Sequence, residues 1–337
     1  MLKDKKILVV GTGAIGGICA ALIAKAGYQI EVICKYPELA QKITNEGLKI
    51  SGIYGDMQVK MPAFASISEL KEMKDIVLLA TKATDMMDPS KELLPFLHEK
   101  SLVVSLQNGI CEEILGEVLG KNRVIGCVVG WGATMHAPGE LEMTSTGEFV
   151  IGNIDNSPKE RLDEIKELLS FVVPVEISDD IIASLYSKLI INSCITSLGA
   201  ICGLYLGEML SKKKLRNLFI EIMREAIAVA DAMKMKVPSY ANKINYYKFL
   251  KNAGFLGNLY RHLLIRFIGF KYRRLKSSML QSLERGNKTE VDFLNGYIVR
   301  KGLDFSVQTP VNSKVLKMIK EVEQGKRKIG IKNFDEF

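Results

Sequence analysis

Residues 11 to 16 read Gly-Thr-Gly-Ala-Ile-Gly, and they constrain the fold more than any other segment. The apolar run Ile7 to Val10 precedes them and reads as a buried strand. Ala14 to Ala26 follows with the composition of a helix, and Gln29 to Cys34 reads as a second strand. Glycines at this spacing between a strand and a helix meet three backbone needs. Gly11 permits a tight turn, Gly13 leaves space where a Cβ would stand, and Gly16 lets the helix pack closely on the strand. Free amides at the helix start then favour an anion such as a pyrophosphate. Gly11, Thr12, Gly13, Ala14, Ile15 and Gly16 are therefore the expected phosphate cradle of a dinucleotide site.

The same stretch imitates a leader peptide, because Lys3, Lys5 and Lys6 precede the mostly apolar run to Ala24. Its glycines and Thr12 break a hydrophobic helix, so strand, turn and helix is the better reading. Further along, Pro37 to Asn45 reads as a helix. Asp75 to Ala80 and Leu102 to Leu106 are short continuous apolar strands, as in a parallel sheet covered on both faces. Arg123 to Gly130, Leu141 to Thr144 and Phe149 to Gly152 look like further strands. This rhythm predicts a Rossmann-type doubly wound α/β domain over residues 1–176.

Beyond about residue 178 strand signals vanish. Helical periodicity runs through Asp179 to Ala200, Lys213 to Met233, Lys276 to Leu283, Glu290 to Lys301 and Asn312 to Gln324. An all-α domain over 177–326 is expected, with a basic insertion at about 240–275 and a loosely held polar tail at 327–337. The formal net charge is +8, and residues 243 to 276 hold nine Lys or Arg with no Asp or Glu. The remainder carries 8 − 9 = −1, so a globally nucleic-acid-binding protein is not implied. Six cysteines without a C-x-x-C pair and only three histidines give no structural zinc pattern. No metal is expected, and the cysteines fit small buried hydrophobes in a reducing cytoplasm.

Several polar residues stand where ligands bind. NAD binders usually carry Asp or Glu at the end of the second strand; here Lys35 follows Cys34, which favours NADP through its 2′-phosphate. Lys82 and Asn108 follow adjacent strands, at carboxyl ends where open α/β sheets bind ligands, although Asn108-Gly109 is also a common turn pair. Lys188, Asn192 and Thr196 lie at i, i+4 and i+8 on an otherwise apolar helix. A lysine in partly apolar surroundings can act as an acid or base; the alternative is the wet side of the helix. Asn287 and Glu290 have capping-box spacing, which leaves Glu290 structural on this ground alone.

Taken together these residues resemble the ketopantoate reductase family over nearly the whole chain. The shared motifs are the glycine loop, Thr81-Lys82-Ala83, Gln107-Asn108-Gly109, Lys188 with Asn192, Ser277 to Gln281, and Thr289 to Gly296. The resemblance implies NADPH-dependent reduction of 2-dehydropantoate to (R)-pantoate in pantothenate biosynthesis. It implies NADPH contacts from Gly11 to Gly16, Lys35, Lys82 and Asn108. It assigns Lys188 as catalytic general acid, Glu290 as active-site glutamate, and Asn108, Asn192 and Ser278 as substrate-binding residues. Thr196 stands where well-known members carry a second substrate-binding Asn. Leu275 and Ser282 replace polar and acidic residues around the Ser277 motif. Another 2-oxo acid, or an imine as in opine-type dehydrogenases, therefore stays open as substrate. A non-catalytic dinucleotide-sensing or membrane-surface module is the rival from a different class. A homodimer is expected.

In the basic segment, aromatics interleave with Lys and Arg. A helical hairpin packed on the second domain, its charges in solvent, is preferred over contact with an anionic membrane or single-stranded nucleic acid. A cap over an acidic substrate is a fourth reading.

Overall fold

The computed structural model describes every residue except Met1, 241–243, 252 and 253. The described residues form two compact units, Met1–Leu185 and Tyr186–Phe337. The strands of the first are β1 (Ile7–Val10), β2 (Ile30–Ile33), β3 (Leu48–Gly52), β4 (Met57–Val59), β5 (Ala63–Phe64), β6 (Lys74–Leu79), β7 (Leu97–Ser105), β8 (Val124–Val129), β9 (Gly132–Ala137), β10 (Glu140–Ser145), β11 (Phe149–Asn153) and β12 (Val175–Ile177). Its complete helices are α1 (Ala14–Lys25), α2 (Pro37–Asn45), α3 (Met87–Leu93), α4 (Glu112–Leu119) and α5 (Arg161–Ser170).

An eight-stranded sheet runs β12-β11-β8-β7-β6-β1-β2-β5. From β5 to β8 all neighbours pair parallel; β11 pairs antiparallel with β8, and β12 parallel with β11. Every residue of β1 and β8 is buried, as covering on both faces requires. A separate four-stranded sheet, β4-β3-β10-β9, packs on α1, with Leu141 against Gly17. β10 matches the strand expected at Leu141 to Thr144, whereas β3, β4, β5, β9 and β12 add to the strands expected from the sequence.

The second unit is helical. Its division from the first falls within α6 (Ile181–Cys202), beyond the boundary expected at 176/177. There follow α7 (Leu206–Ser211), α8 (Lys213–Ala232), α9 (Tyr246–Lys251), α10 (Gly254–Lys271), α11 (Ser278–Glu284), α12 (Asn295–Asp304) and α13 (Pro310–Glu323). By length and composition α6 could cross a membrane, yet 72% of its apolar window is buried inside the protein, with Tyr186, Leu189, Ile190, Cys194 and Leu198 in the core. All six cysteines are buried, as their apolar contexts implied.

Two expectations are corrected. The stretch from Gly325 is not loose: Ile331–Glu336 forms a 3-10 turn, Phe334 is buried and stacks on Phe337, and Asn333 donates to the carbonyl of Ile201. The buried Phe334 ring anchors a segment that is otherwise rich in charged residues. The capping box at Asn287 also does not form. Residues 287 to 289 are irregular, and Glu290 precedes a short 3-10 turn, Val291–Phe293, with α12 beginning only at Asn295. Thr289 donates its amide and hydroxyl to Glu323, both at 2.7 Å, and this long-range bond overrides the local helix start.

Within the basic segment, Tyr246–Lys251 (α9) and Gly254–Lys271 (α10) are helical. The segment does pack on its own unit, burying Tyr246, Phe249 and Ile265 and setting Gly269 against Leu210. Its outward side, however, is apolar as well as charged.

Candidate active site

The parallel register levels four strand ends in the first unit. Val10 of β1 pairs with Ile33 of β2 and Leu79 of β6, and Leu79 pairs with Ser105 of β7. The residues just past that level are the glycine loop, Lys35, Lys82 and Asn108. Local geometry fits the glycine triplet to an anion. Gly11 has φ +101°, and a Cβ there would lie 2.9 Å from the backbone of Ala80 and Thr81. At Gly16 a Cβ would meet the Gly11 carbonyl oxygen at 2.1 Å and Ala80 Cβ at 2.7 Å. Around Gly13, the N-cap of α1, nothing lies within 4 Å of an added Cβ. Gly11 and Gly16 are thus closed by the protein, whereas Gly13 opens on space beside the first helical amides. That is the arrangement a pyrophosphate needs.

Thr12 is buried and its hydroxyl bonds the Cys34 thiol; burial pushes that thiol's pKa up and the bond opposes the shift. Ala14 and Ile15 are partly exposed at the mouth of the loop. Lys35 is exposed, with Nζ 3.7 Å from the Asp85 carboxylate and 5.9 Å from the Tyr36 ring centroid. Lys82 is exposed at the N-cap of the 3-10 turn Ala83–Asp85, its carbonyl accepting from the Asp85 amide at 2.9 Å. Asn108 is half-buried before Gly109, which has φ +90°. Gln107, absent from the expected site, is buried and joins the two strand ends: its amide donates to Thr81 Oγ1 at 3.1 Å and accepts from Ser105 Oγ at 3.3 Å. Glu112, also unanticipated, is fully buried in the first turn of α4, where the helix dipole favours a carboxylate.

The second unit holds the other expected residues. Lys188 and Asn192 are half-buried on a helix whose neighbouring positions are mostly buried. Thr196 is buried, and its hydroxyl donates to the Asn192 carbonyl at 2.7 Å. One turn further, a Cβ on Gly199 would lie 2.9 Å from the Ser277 side chain. Absence of that Cβ lets Ser277, the N-cap of α11, approach α6 one turn beyond Thr196. Ser277 caps α11 by accepting from the Leu280 amide at 3.2 Å, while Ser278 stays exposed. Ser282 donates to the Ser278 carbonyl at 3.1 Å, and Leu275 is exposed.

Glu290 is half-buried, between buried Thr289 and buried Val291. Its segment is tied to α6 by Asn295, which donates to the Ser193 carbonyl at 3.3 Å and to Asn312 Oδ1 at 2.9 Å. Asn312 in turn donates to Glu225 at 2.7 Å, and Glu225 accepts the amides of Val311 and Asn312. This buried network fixes the Thr289–Asn295 stretch against the helix that carries Lys188 and Asn192.

Comparison with known proteins fits this geometry. The family model "Ketopantoate reductase PanE/ApbA" matches residues 7–156, and "Ketopantoate reductase PanE/ApbA C terminal" matches 180–323. The chain belongs to the ketopantoate reductase family. Family membership makes it an oxidoreductase with a dinucleotide-binding domain. It is 28% identical to the 2-dehydropantoate 2-reductase of Aquifex aeolicus, covering 94% of this chain and 97% of that one. The Pyrococcus abyssi 2-dehydropantoate 2-reductase is also 28% identical, over 96% of this chain and 100% of its own. A PanE/ApbA family ketopantoate reductase from Ralstonia eutropha superposes with TM-score 0.81 at 29% identity, covering 95% of this chain and 99% of that one. D-mandelate dehydrogenase, solved with NADH and anilino(oxo)acetate, shares the fold with TM-score 0.82 at 21% identity over 95% of this chain and 99% of its own.

Proposed function

We propose that this protein reduces 2-dehydropantoate to (R)-pantoate with NADPH. The observation that carries the reading is the strand register that levels the glycine loop, Lys35, Lys82 and Asn108 in a chain of this family. The open space at Gly13 would admit the pyrophosphate to the α1 amides. Lys35 would exchange its exposed partner Asp85 for the 2′-phosphate, a stronger and more charged acceptor. Lys82 and Asn108 would line the cofactor, with Asn108 also reaching substrate.

When bound, the nicotinamide supplies the hydride, the hard chemistry of the reaction. Lys188 serves as general acid: its ammonium stabilises the charge growing on the ketone oxygen and hands that oxygen a proton. Asn192, Thr196 and Ser278 hold the substrate, and Glu290 orients the reacting groups. Asn295 acts through the others, keeping the Glu290 segment against α6. A homodimer is part of the proposal, and light scattering tests it.

A second reading keeps the chemistry and changes the substrate to another 2-oxo acid or an imine. The observation favouring it is Thr196, whose hydroxyl proton is engaged by the Asn192 carbonyl and so is not offered to a substrate hydroxyl. A site built to bond a hydroxyl rejects analogues that lack it by large factors. Rates of NADPH oxidation across a panel of 2-oxo acids separate the two. Preference for ketopantoate supports the first reading, and preference for a substrate without its hydroxyl supports the second.

A further inference from the structure

The outward side of α10 is the largest feature the reductase chemistry leaves unused. Leu256, Tyr260, Leu263, Phe267 and Phe270 recur at alternating steps of about four and three residues, which places them on one helix face. That face is turned outward: Leu256 is 78% exposed, Phe267 64% and Phe270 68%. The opposite side, with Ile265 and Gly269, packs into the unit. Single exposed apolar residues are ordinary, but a continuous row of five marks a surface that meets something else.

The charges beside this row are of one sign. Arg266 and Lys271 flank it, and Arg273 and Arg274 follow it; Arg273 lies 5.2 Å from the Phe270 ring centroid and Lys271 5.4 Å from that of Tyr272. On the neighbouring α8, Arg216 donates to His262 Nδ1 at 3.1 Å, and His262 Nε2 has no partner among the described residues. Burial, then Arg216, Lys213 and Arg261, hold the His262 pKa below its ordinary value; burial, then Arg266, lower that of Arg216.

We propose that α10 is a docking surface for an anionic lipid bilayer. Lying along the interface, Leu256, Leu263, Phe267 and Phe270 enter the acyl boundary, while Arg266, Lys271, Arg273 and Arg274 sit among headgroup phosphates. The helix has 18 residues, about 27 Å of contact at about 1.5 Å per residue. A second copy fits less well, because pairing this face with itself opposes two segments that each carry nine cations and no carboxylate. Nucleic acid accounts for the cations but not for the aliphatic Leu256 and Leu263.

The full chain is sedimented with vesicles of phosphatidylglycerol and phosphatidylcholine, and with phosphatidylcholine alone. Binding is expected to the anionic vesicles, weakened by salt. The double variant Leu263→Ser, Phe267→Ser should bind about a hundredfold less, since each buried side chain contributes roughly tenfold or more. Phe267→Trp should add a fluorescence component that shifts to the blue on vesicle addition. Lack of pelleting at low salt overturns the proposal. So does full binding by the double variant, which would mean charge alone. Light scattering that finds a dimer split by Leu263→Ser, Phe267→Ser, without vesicle binding, assigns the face to a second copy and also overturns it. None of these outcomes depends on the reductase activity.

Discussion

Adding one methyl group to the glycine loop at either of two places should have opposite consequences. At Gly16 the new carbon would sit 2.1 Å from the Gly11 carbonyl oxygen and 2.7 Å from Ala80 Cβ. Neither neighbour is the end of a flexible side chain, so α1 must move away from β1 and β6. Overpacking of a rigid core costs about 1–3 kcal/mol, and an overlap this deep belongs at the upper end. For a unit of this size each kcal/mol lowers Tm by about 2–4 °C, so Gly16→Ala should melt roughly 6–12 °C below wild type. At Gly13 the added carbon meets nothing within 4 Å, and φ −70° with ψ −171° suits alanine. The loss is that of a favourable N-cap residue, about 1 kcal/mol or less, worth a few degrees. Yet Gly13→Ala fills the space proposed for the pyrophosphate. Thermal unfolding read by circular dichroism, with NADPH titration by nucleotide fluorescence, measures both effects. Gly13→Ala should stay folded and lose NADPH binding by tenfold or more. Wild-type NADPH affinity in Gly13→Ala, or wild-type stability in Gly16→Ala, would refute this account of the loop.

Asn312→Ala should cost about 2–4 kcal/mol in urea unfolding, because a buried amide bonded to a carboxylate is removed and Asn295 loses its acceptor; a loss below about 0.5 kcal/mol would mean the network is dispensable. Native protein should react slowly with a thiol reagent and titrate six thiols only after unfolding, since all six are buried and burial pushes Cys202 up to about 11; rapid native labelling contradicts this. His262 has a folded pKa below its unfolded value, so it binds a proton more readily when unfolded. Its contribution is present above about pH 6.5 and is lost as pH falls through the folded value. His262→Asn should flatten the stability–pH curve on the acid side, and equal slopes in both proteins would exclude a role for this ring. Lys35→Ala should weaken NADPH binding much more than NADH binding; equal loss for both would remove Lys35 from the 2′-phosphate.

The parts of the fold that read directly from the sequence are those whose cause is local. β6 and β7 contain continuous apolar runs because both sheet faces are covered, and the glycine loop is dictated by contacts within one strand–turn–helix unit. β4 is only Met57–Val59 and β5 only Ala63–Phe64, too short to show a period. Their strand geometry comes from partners elsewhere in the chain, β3 and β2. The local pattern at Glu290 is that of a helix start, yet the residue precedes a 3-10 turn and α12 begins only at Asn295. The Thr289–Glu323 bond that prevails spans 34 residues. The Gln107–Thr81 link and the Asn295–Ser193 link, at separations of 26 and 102, are likewise tertiary facts. At the candidate site, residue types and helical spacing were legible in Lys188 and Asn192. That Thr196 spends its hydroxyl on the Asn192 carbonyl, and that Gly199 admits Ser277, emerges only from packing.

The central claim is that Lys188 protonates the ketone oxygen of a 2-oxo acid while NADPH is oxidised. Turnover of NADPH with ketopantoate should be measured for wild type and for Lys188→Ala at equal folded concentration, with NADPH affinity determined alongside. The account predicts that kcat falls by about 10²–10⁴ while NADPH still binds. Near-normal kcat in Lys188→Ala would contradict it.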